Sequence, residues 1–204
     1  MDEIGLFPLG MVLLPGEQVP LHIFEPRYRE LIGECVDEER EFGLVLSDDE
    51  GMRTVGTTAA VVEVTQRFDD GRFDIVVEGR ERFRVVAETE GRTFLTARVS
   101  ALEDGGDAPS EHEEERALDA YRKVALEAEA EAEEPDPGIA SLSYWLAARV
   151  DFGPDVKQEL LELGSERDRV LRLAELLDRA RETLRWARTA RTRAQTNGRV
   201  EPPG

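Results

Sequence analysis

At 204 residues the chain can form one domain or two small ones, and 40% hydrophobic with 35% charged residues suits a soluble globular protein. No window nears the roughly 20 apolar residues of a membrane-spanning helix, and a formal charge of −19 speaks against phosphate-backbone binding by the whole molecule. Cys35 is the sole cysteine, which excludes an internal disulfide; with an acidic Met-Asp-Glu-Ile start where a signal peptide would be basic, it points to the cytoplasm.

Ile4 to Phe7 reads as a short first strand, broken by Pro8-Leu9-Gly10. Met11-Val12-Leu13-Leu14 then lies between two turn signals, the second being Pro15-Gly16, and has two readings: a buried loop, or an apolar patch open to extended polypeptide. Val19 to Phe24 is the next strand. It runs almost without linker into a helix that Pro26 opens, where a missing N–H costs nothing, with Glu25 as cap or first-turn carboxylate. Tyr28, Leu31, Ile32, Cys35 and Val36 recur at helical spacing and form its apolar face. Cys35 on that face reads as a buried small hydrophobe rather than a reactive thiol.

Phe42 to Leu46 is a continuous apolar run, as in a strand buried on both faces. Val55 to Phe68 and Arg72 to Glu78 are two strands joined at the hairpin signal Asp69-Asp70-Gly71. Gly79 marks a bulge or corner, Arg82 to Ala87 is a further strand, and Thr93 to Leu102 is the last. Many short strands with one early helix predict a closed or nearly closed sheet plugged by the helix.

Glu103 to Ser110 is a polar, glycine-containing linker, and the chain divides there into residues 1–104 and 111–193. Ser110 and Glu113 form a capping box for a helix with Leu118, Tyr121, Val124, Ala125 and Ala128 on one face. Further helices are predicted over Ile139 to Val150, anchored by Trp145, and from Pro154 to a left-handed Gly164. A fourth, capped by Ser165, carries Val170, Leu173, Ala174 and Leu177. These four helices are expected to form an antiparallel bundle, with residues 194–204 disordered. Residues 111–134 carry ten acids against three bases, whereas residues 165–199 carry ten arginines against five acids.

No catalytic constellation is found. There is no Gly-x-x-x-x-Gly-Lys-Ser/Thr phosphate loop, since no Gly-Lys dipeptide occurs, and His112-Glu113-Glu114-Glu115 lacks the second histidine of a zinc helix. His22 stands alone in a strand and reads as a hydrogen-bonded strand residue. No cofactor and no metal are expected. Arg27, Tyr28 and Arg29 have a structural reading, in which Tyr28 packs in the core and an arginine bonds carbonyls or Glu25. Their functional reading puts an arginine at a ligand groove.

Five segments, in one order, resemble the N-terminal substrate-binding domain of Lon proteases. They are Phe7-Pro8-Leu9-Gly10-Met11-Val12-Leu13-Leu14-Pro15-Gly16, Pro20-Leu21-His22-Ile23-Phe24-Glu25-Pro26-Arg27-Tyr28-Arg29, Phe42-Gly43-Leu44-Val45-Leu46, Gly56-Thr57-Thr58-Ala59, and Asp70-Gly71-Arg72 through Gly79-Arg80-Glu81-Arg82-Phe83-Arg84-Val85. The helical half, to about Leu184, is similar to that domain as well. The resemblance implies an α+β fold: a pseudo-barrel related to PUA-like folds with one early helix, followed by helices. It also implies a non-catalytic module that binds unfolded polypeptide or a protein partner, such as a separate ATPase or protease, and neither nucleic acid nor membrane. Met11, Val12, Leu13, Leu14, Phe24, Arg27 and Arg29 are the residues this reading puts at the polypeptide site. The competing reading is a PUA-like protein that binds RNA or a small ligand, with Tyr144 and Trp145 as stacking surface.

Overall fold

The structure, a computed structural model, describes residues 2–197, with side chains from Glu3 to Ala190. The elements in chain order are β1 (Asp2–Leu9), β2 (Gln18–Ile23), α1 (Pro26–Asp37), β3 (Phe42–Asp48), β4 (Gly51–Arg67), β5 (Phe73–Thr89), β6 (Thr96–Ala101), α2 (Glu111–Glu127), α3 (Leu142–Ala147), α4 (Gly153–Glu162) and α5 (Glu166–Asn197). Two compact units result. One comprises the chain up to Gly105 together with Ala147–Gly164; the other comprises Gly106–Leu146 and the chain from Ser165 on.

In the first unit the strand order is β2-β5-β4-β3-β1-β6, and β5 also pairs with β6. β5, β4, β3, β1 and β6 therefore close on themselves, and β2 hangs on the first half of β5. The closed sheet predicted from the strand pattern is what forms. β1 and β3 are parallel; every other pair is antiparallel. Closure is tight enough to need missing side chains. A Cβ on Gly43 would meet Leu6 and the tip of Phe83 at 2.7 Å, and one on Gly56 would meet the Leu44 carbonyl oxygen at 2.4 Å, so Phe83 fills space that two glycines leave.

The run from Arg72 to Ala87, read as two strands, is one strand, β5, that bends at Gly79. The pairing register with β4 shifts between Thr57 and Ala59, opposite this bend. β4 is long and outruns a neighbour. Its pairing with β3 stops at Ala59, while its pairing with β5 continues to Arg67.

α1 plugs the sheet as expected. Tyr28, Leu31, Ile32 and Cys35 are buried among Phe7, Phe42, Leu44 and Ile75, with Phe7 and Tyr28 rings 4.1 Å apart. Each such side chain contributes about 1.5–3 kcal/mol by leaving water. Pro26 opens the helix, but Glu25 makes no side-chain cap; its carboxylate pairs instead with Arg27 at 3.0 Å.

α4 belongs with the sheet and not with the other helices. Gln158 donates to the carbonyl of Val55 at 3.1 Å, and Lys157 lies 2.6 Å from Glu17. Arg82, buried, donates to the carbonyls of Leu161 at 2.8 Å and Leu163 at 2.7 Å and also bonds Asp104. This arginine explains why Gly164 does not take the left-handed turn expected of it: Leu163 ends the helix in extended conformation, and a guanidinium satisfies the terminal carbonyls that a glycine cap would otherwise serve.

In the second unit α2 packs along the first part of α5. The Ser110 capping box forms as predicted, with Glu113 accepting from the Ser110 amide at 2.8 Å, and Ser165 accepts from the Asp168 amide at 3.0 Å. The core is Ala117, Tyr121, Val124, Leu146, Val170, Leu173 and Leu177. α3 is shorter than the helix predicted over Ile139 to Val150. Its anchors are Tyr144 and Leu146, while Trp145 is only half-buried and meets the ring of Tyr121 edge-on at 5.8 Å. Because α4 is absent from this unit, the expected four-helix bundle reduces to three helices. α5 continues through Asn197, and residues 198–204 of the tail expected to be disordered lie outside the described residues.

Candidate functional site

The seven residues singled out in the sequence part company in the structure. Val12, Leu13 and Leu14 are buried, Leu14 completely, and Met11 is half-buried against the same core. Of the two readings of this segment, the buried loop holds, and the apolar patch open to polypeptide is corrected for Val12, Leu13 and Leu14. The cause is the turn at Pro15-Gly16, which folds the segment onto β5. The Gly16 amide donates to the Gly79 carbonyl at 2.8 Å, and the Gly79 amide donates to Glu17 at 2.9 Å. A Cβ on Gly79 would stand 2.2 Å from the Leu14 carbonyl oxygen, so only glycine lets the loop close. Glu17 completes the seat by accepting from the Leu14 amide at 3.0 Å.

Arg29 takes its structural reading. Its Nη1 donates to the carbonyl of Asp70 at 2.6 Å and so ties α1 to the β4–β5 hairpin. Tyr28 is in the core, where burial pushes its hydroxyl up from the ordinary value against the opposing pull of Arg27. Arg27 itself is exposed, its guanidinium 4.5 Å from the centre of the Tyr28 ring.

Phe24 is exposed over 59% of its surface, and the structure surrounds it with residues that the sequence did not place at the site. Its ring stacks on His22 at 5.8 Å, and His22 meets Phe68 edge-on at 6.0 Å. His22 Nδ1 is 2.5 Å from an Asp74 carboxylate oxygen across the β2–β5 pair. The Arg72 guanidinium lies 5.0 Å over Phe68 and is held there by Asp70 at 2.8 Å. Arg72, through its amide and its side chain, lowers the Asp70 carboxyl from its ordinary range. The result is a platform of two aromatic rings and an imidazole, edged by charge.

Strand parity builds it. Along β2, Leu21 and Ile23 point into the core, so His22 and Phe24 point out. That alternation was readable in the sequence; the arrival of Phe68 from across the hairpin was not. Cys35 is buried, its thiol pushed up to about 11 by desolvation, the opposite of a nucleophile's requirement. Among the described residues no group of three or more His, Cys, Asp and Glu side chains is placed to hold a metal ion, and no helix is long and apolar enough to cross a membrane.

Comparison with known proteins places these features in a family. Residues 3–179 match the model of the ATP-dependent protease La (LON) substrate-binding domain. Lon protease 2 of Myxococcus xanthus is 32% identical over 89% of this chain and 24% of its own length, and the Lon protease of Parabacteroides distasonis is 25% identical over 87% of this chain and 24% of its own. The chain thus spans about a quarter of the length of the curated relatives it matches. Among solved structures, a Lon N-terminal domain protein from Xanthomonas campestris has a TM-score of 0.66 at 25% identity, covering 85% of this chain and 97% of that one. The N-terminal domain of a Mycobacterium avium complex Lon protease has a TM-score of 0.66 at 18% identity, a likeness of fold. On the family match over most of its length, the chain belongs to the LON substrate-binding domain family.

Proposed function

We propose that this chain is a non-catalytic module that binds unfolded polypeptide, and that the platform of Phe24, His22 and Phe68 takes up apolar side chains of the client. The observation that carries this reading is the exposed Phe24 ring, stacked on His22 and set beside Phe68. Aromatic rings presented this way supply a few buried anchors on binding, and a few anchors dominate the affinity of most protein interfaces. Arg72 edges the rings with charge, which guides encounter and orientation more than it adds affinity. Membership in a substrate-binding family supports the same class of function.

The chain would then work as a recognition part for a separate ATP-driven protease, in the cytoplasm, where its single buried cysteine stays reduced. Fluorescence titration with labelled β-casein, which is unfolded in solution, tests the reading. Saturable binding that weakens in Phe24→Ala is expected. Uniform absence of binding, or binding of single-stranded RNA in its place, would overturn it.

A further inference from the structure

We propose that the unpaired edge of β4 receives an extended segment of the client as an added strand, a mode that rests on the polypeptide-binding reading above. β4 pairs with β3 only through Ala59, yet continues beside β5 to Arg67. Over Ala60–Arg67 it therefore has one neighbour. Amides and carbonyls of a strand alternate between its two edges, so this stretch turns half of its backbone groups away from β5.

The edge lies in a groove. A cleft of about 690 Å³ is floored by Val36 of α1 and by Ala60, Val61, Val62 and Val64 of β4. Val61 and Val64 lean on the core, while a register shift between Val61 and Glu63 leaves Val62 exposed over 42% of its surface. Natural sheets protect such edges with lysine, proline or bulges; residues 60–67 contain no lysine and no proline, and their pairing with β5 shifts register after Val61 and again after Val64. They hold instead three valines and a threonine, which suit cross-strand packing.

Charge selects the occupant. The two guanidiniums at the groove are already engaged, Arg40 with Glu38 at 2.7 Å and Arg80 with Glu78 at 2.5 Å. Glu39, Glu41 and Glu63 line the same groove and have no ion-pair partner among the described residues. Three free carboxylates around an apolar floor fit an extended segment of alternating apolar residues with lysine or arginine at its flanks. They oppose a second copy of this chain, which would bring the same acids against themselves. Backbone pairing suits a module that must accept many sequences, because main-chain hydrogen bonds give affinity without reading side chains.

The test uses the full chain and a fluorescent ten-residue peptide of alternating valine and threonine with lysine at both ends. Two further forms carry N-methyl groups on alternate amides, one form for each peptide edge. Binding of the parent peptide is expected, weakened at least about tenfold by methylation of one edge and little by methylation of the other, since only one edge can pair. Amides of Ala60–Val64 should gain protection from hydrogen exchange. The exposed substitution Glu63→Lys should weaken this peptide and strengthen a glutamate-flanked one, with an unchanged melting temperature.

Peptide binding that ignores methylation on both edges, or leaves these amides unprotected, overturns the added strand and leaves the polypeptide reading standing. Failure of both the peptide and β-casein to bind overturns both. A dimer in which Ala60–Val64 are protected without peptide gives the edge to a second copy and also overturns the inference.

Discussion

Arg82 Nη1 lies 2.7 Å from the carbonyl oxygen of Leu163, a residue far along the chain, and 2.8 Å from that of Leu161. One buried cation thus closes the end of α4 and holds it in the unit that contains the sheet. Arg82→Ala should destabilise the protein by about 3 kcal/mol, because the carbonyls and Asp104 lose a fixed, desolvated partner. Arg82→Lys should recover less than half, since an ammonium cannot reach the same three acceptors as a planar fork. Urea unfolding of the two variants measures both numbers.

Gly79→Ala tests the seat of the Met11–Leu14 loop. The added methyl would stand 2.2 Å from the Leu14 carbonyl oxygen, and neither backbone can retreat without breaking the bonds between Gly79 and residues Gly16 and Glu17. A loss of about 2–4 kcal/mol is expected, on the scale of overpacking combined with broken backbone bonds. Calorimetry should find a lowered melting temperature with the same α+β circular dichroism.

Glu113 supplies a pH dependence. Arg167 first, and then the Ser110 amide and hydroxyl, hold its carboxyl well below the ordinary value, at about 2. A carboxyl that is more acidic in the folded than in the unfolded chain stabilises the fold above its unfolded pKa of 4.5, and that stability disappears as the pH falls from there toward 2. Glu134 is shifted in the same sense by Arg122. The difference in melting temperature between the parent protein and Glu113→Gln should therefore be full at pH 6 and shrink steadily below pH 4.5. A difference that stayed constant to pH 2 would mean the charge of Glu113 plays no part.

Arg169 is wholly buried in the second unit. Its Nε donates to Ser143 Oγ at 3.0 Å, its Nη2 bonds Glu166 at 2.8 Å, and its guanidinium lies 4.4 Å over the Tyr144 ring. Glu166 in turn accepts from the Ser143 amide at 2.8 Å, at the start of α3. Arg169→Ala should cost about 3–5 kcal/mol, as removal of one member of a buried ionic group generally does. Loss of Tyr144 near-ultraviolet dichroism should accompany it.

Phe24→Ala and Phe68→Ala each remove exposed or half-exposed aromatic surface, so folding stability should change by no more than about 0.5–1 kcal/mol. Affinity for β-casein should fall about tenfold in each. Arg29→Ala should behave in the opposite way, lowering the melting temperature by freeing the hairpin from α1 while leaving the aromatic rings in place.

The elements themselves were legible because each follows from local rules. Pro26 and the Tyr28-Leu31-Ile32-Cys35 stripe specify α1, Ser110 with Glu113 specifies the start of α2, and Asp70-Gly71 specifies the hairpin. Partnership was not legible where polar groups decide it. Pro154 and Gly164 bracket a helix but do not name its neighbour; Arg82, Lys157 and Gln158 decide that α4 joins the sheet, and no periodicity marks them. The same limit applied to Met11–Leu14, whose apolarity fits burial and exposure equally until Gly79 is known to be its floor. Half of the aromatic platform followed from the alternation in β2. Phe68 required knowledge of which strands lie side by side.

α4 has a consequence for biosynthesis. Every strand of the sheet has been translated by Ala101, but the helix that donates to Val55 and accepts from Arg82 ends at Glu162. On the ribosome the sheet therefore emerges with one of its seats vacant and its buried arginine still in water. Residues 106–146 must leave the exit tunnel before that vacancy can be filled. The nascent sheet is thus at its most vulnerable to chaperones and aggregation during translation of the intervening helices, and a shortened polypeptide ending near Gly105 would remain in that condition permanently.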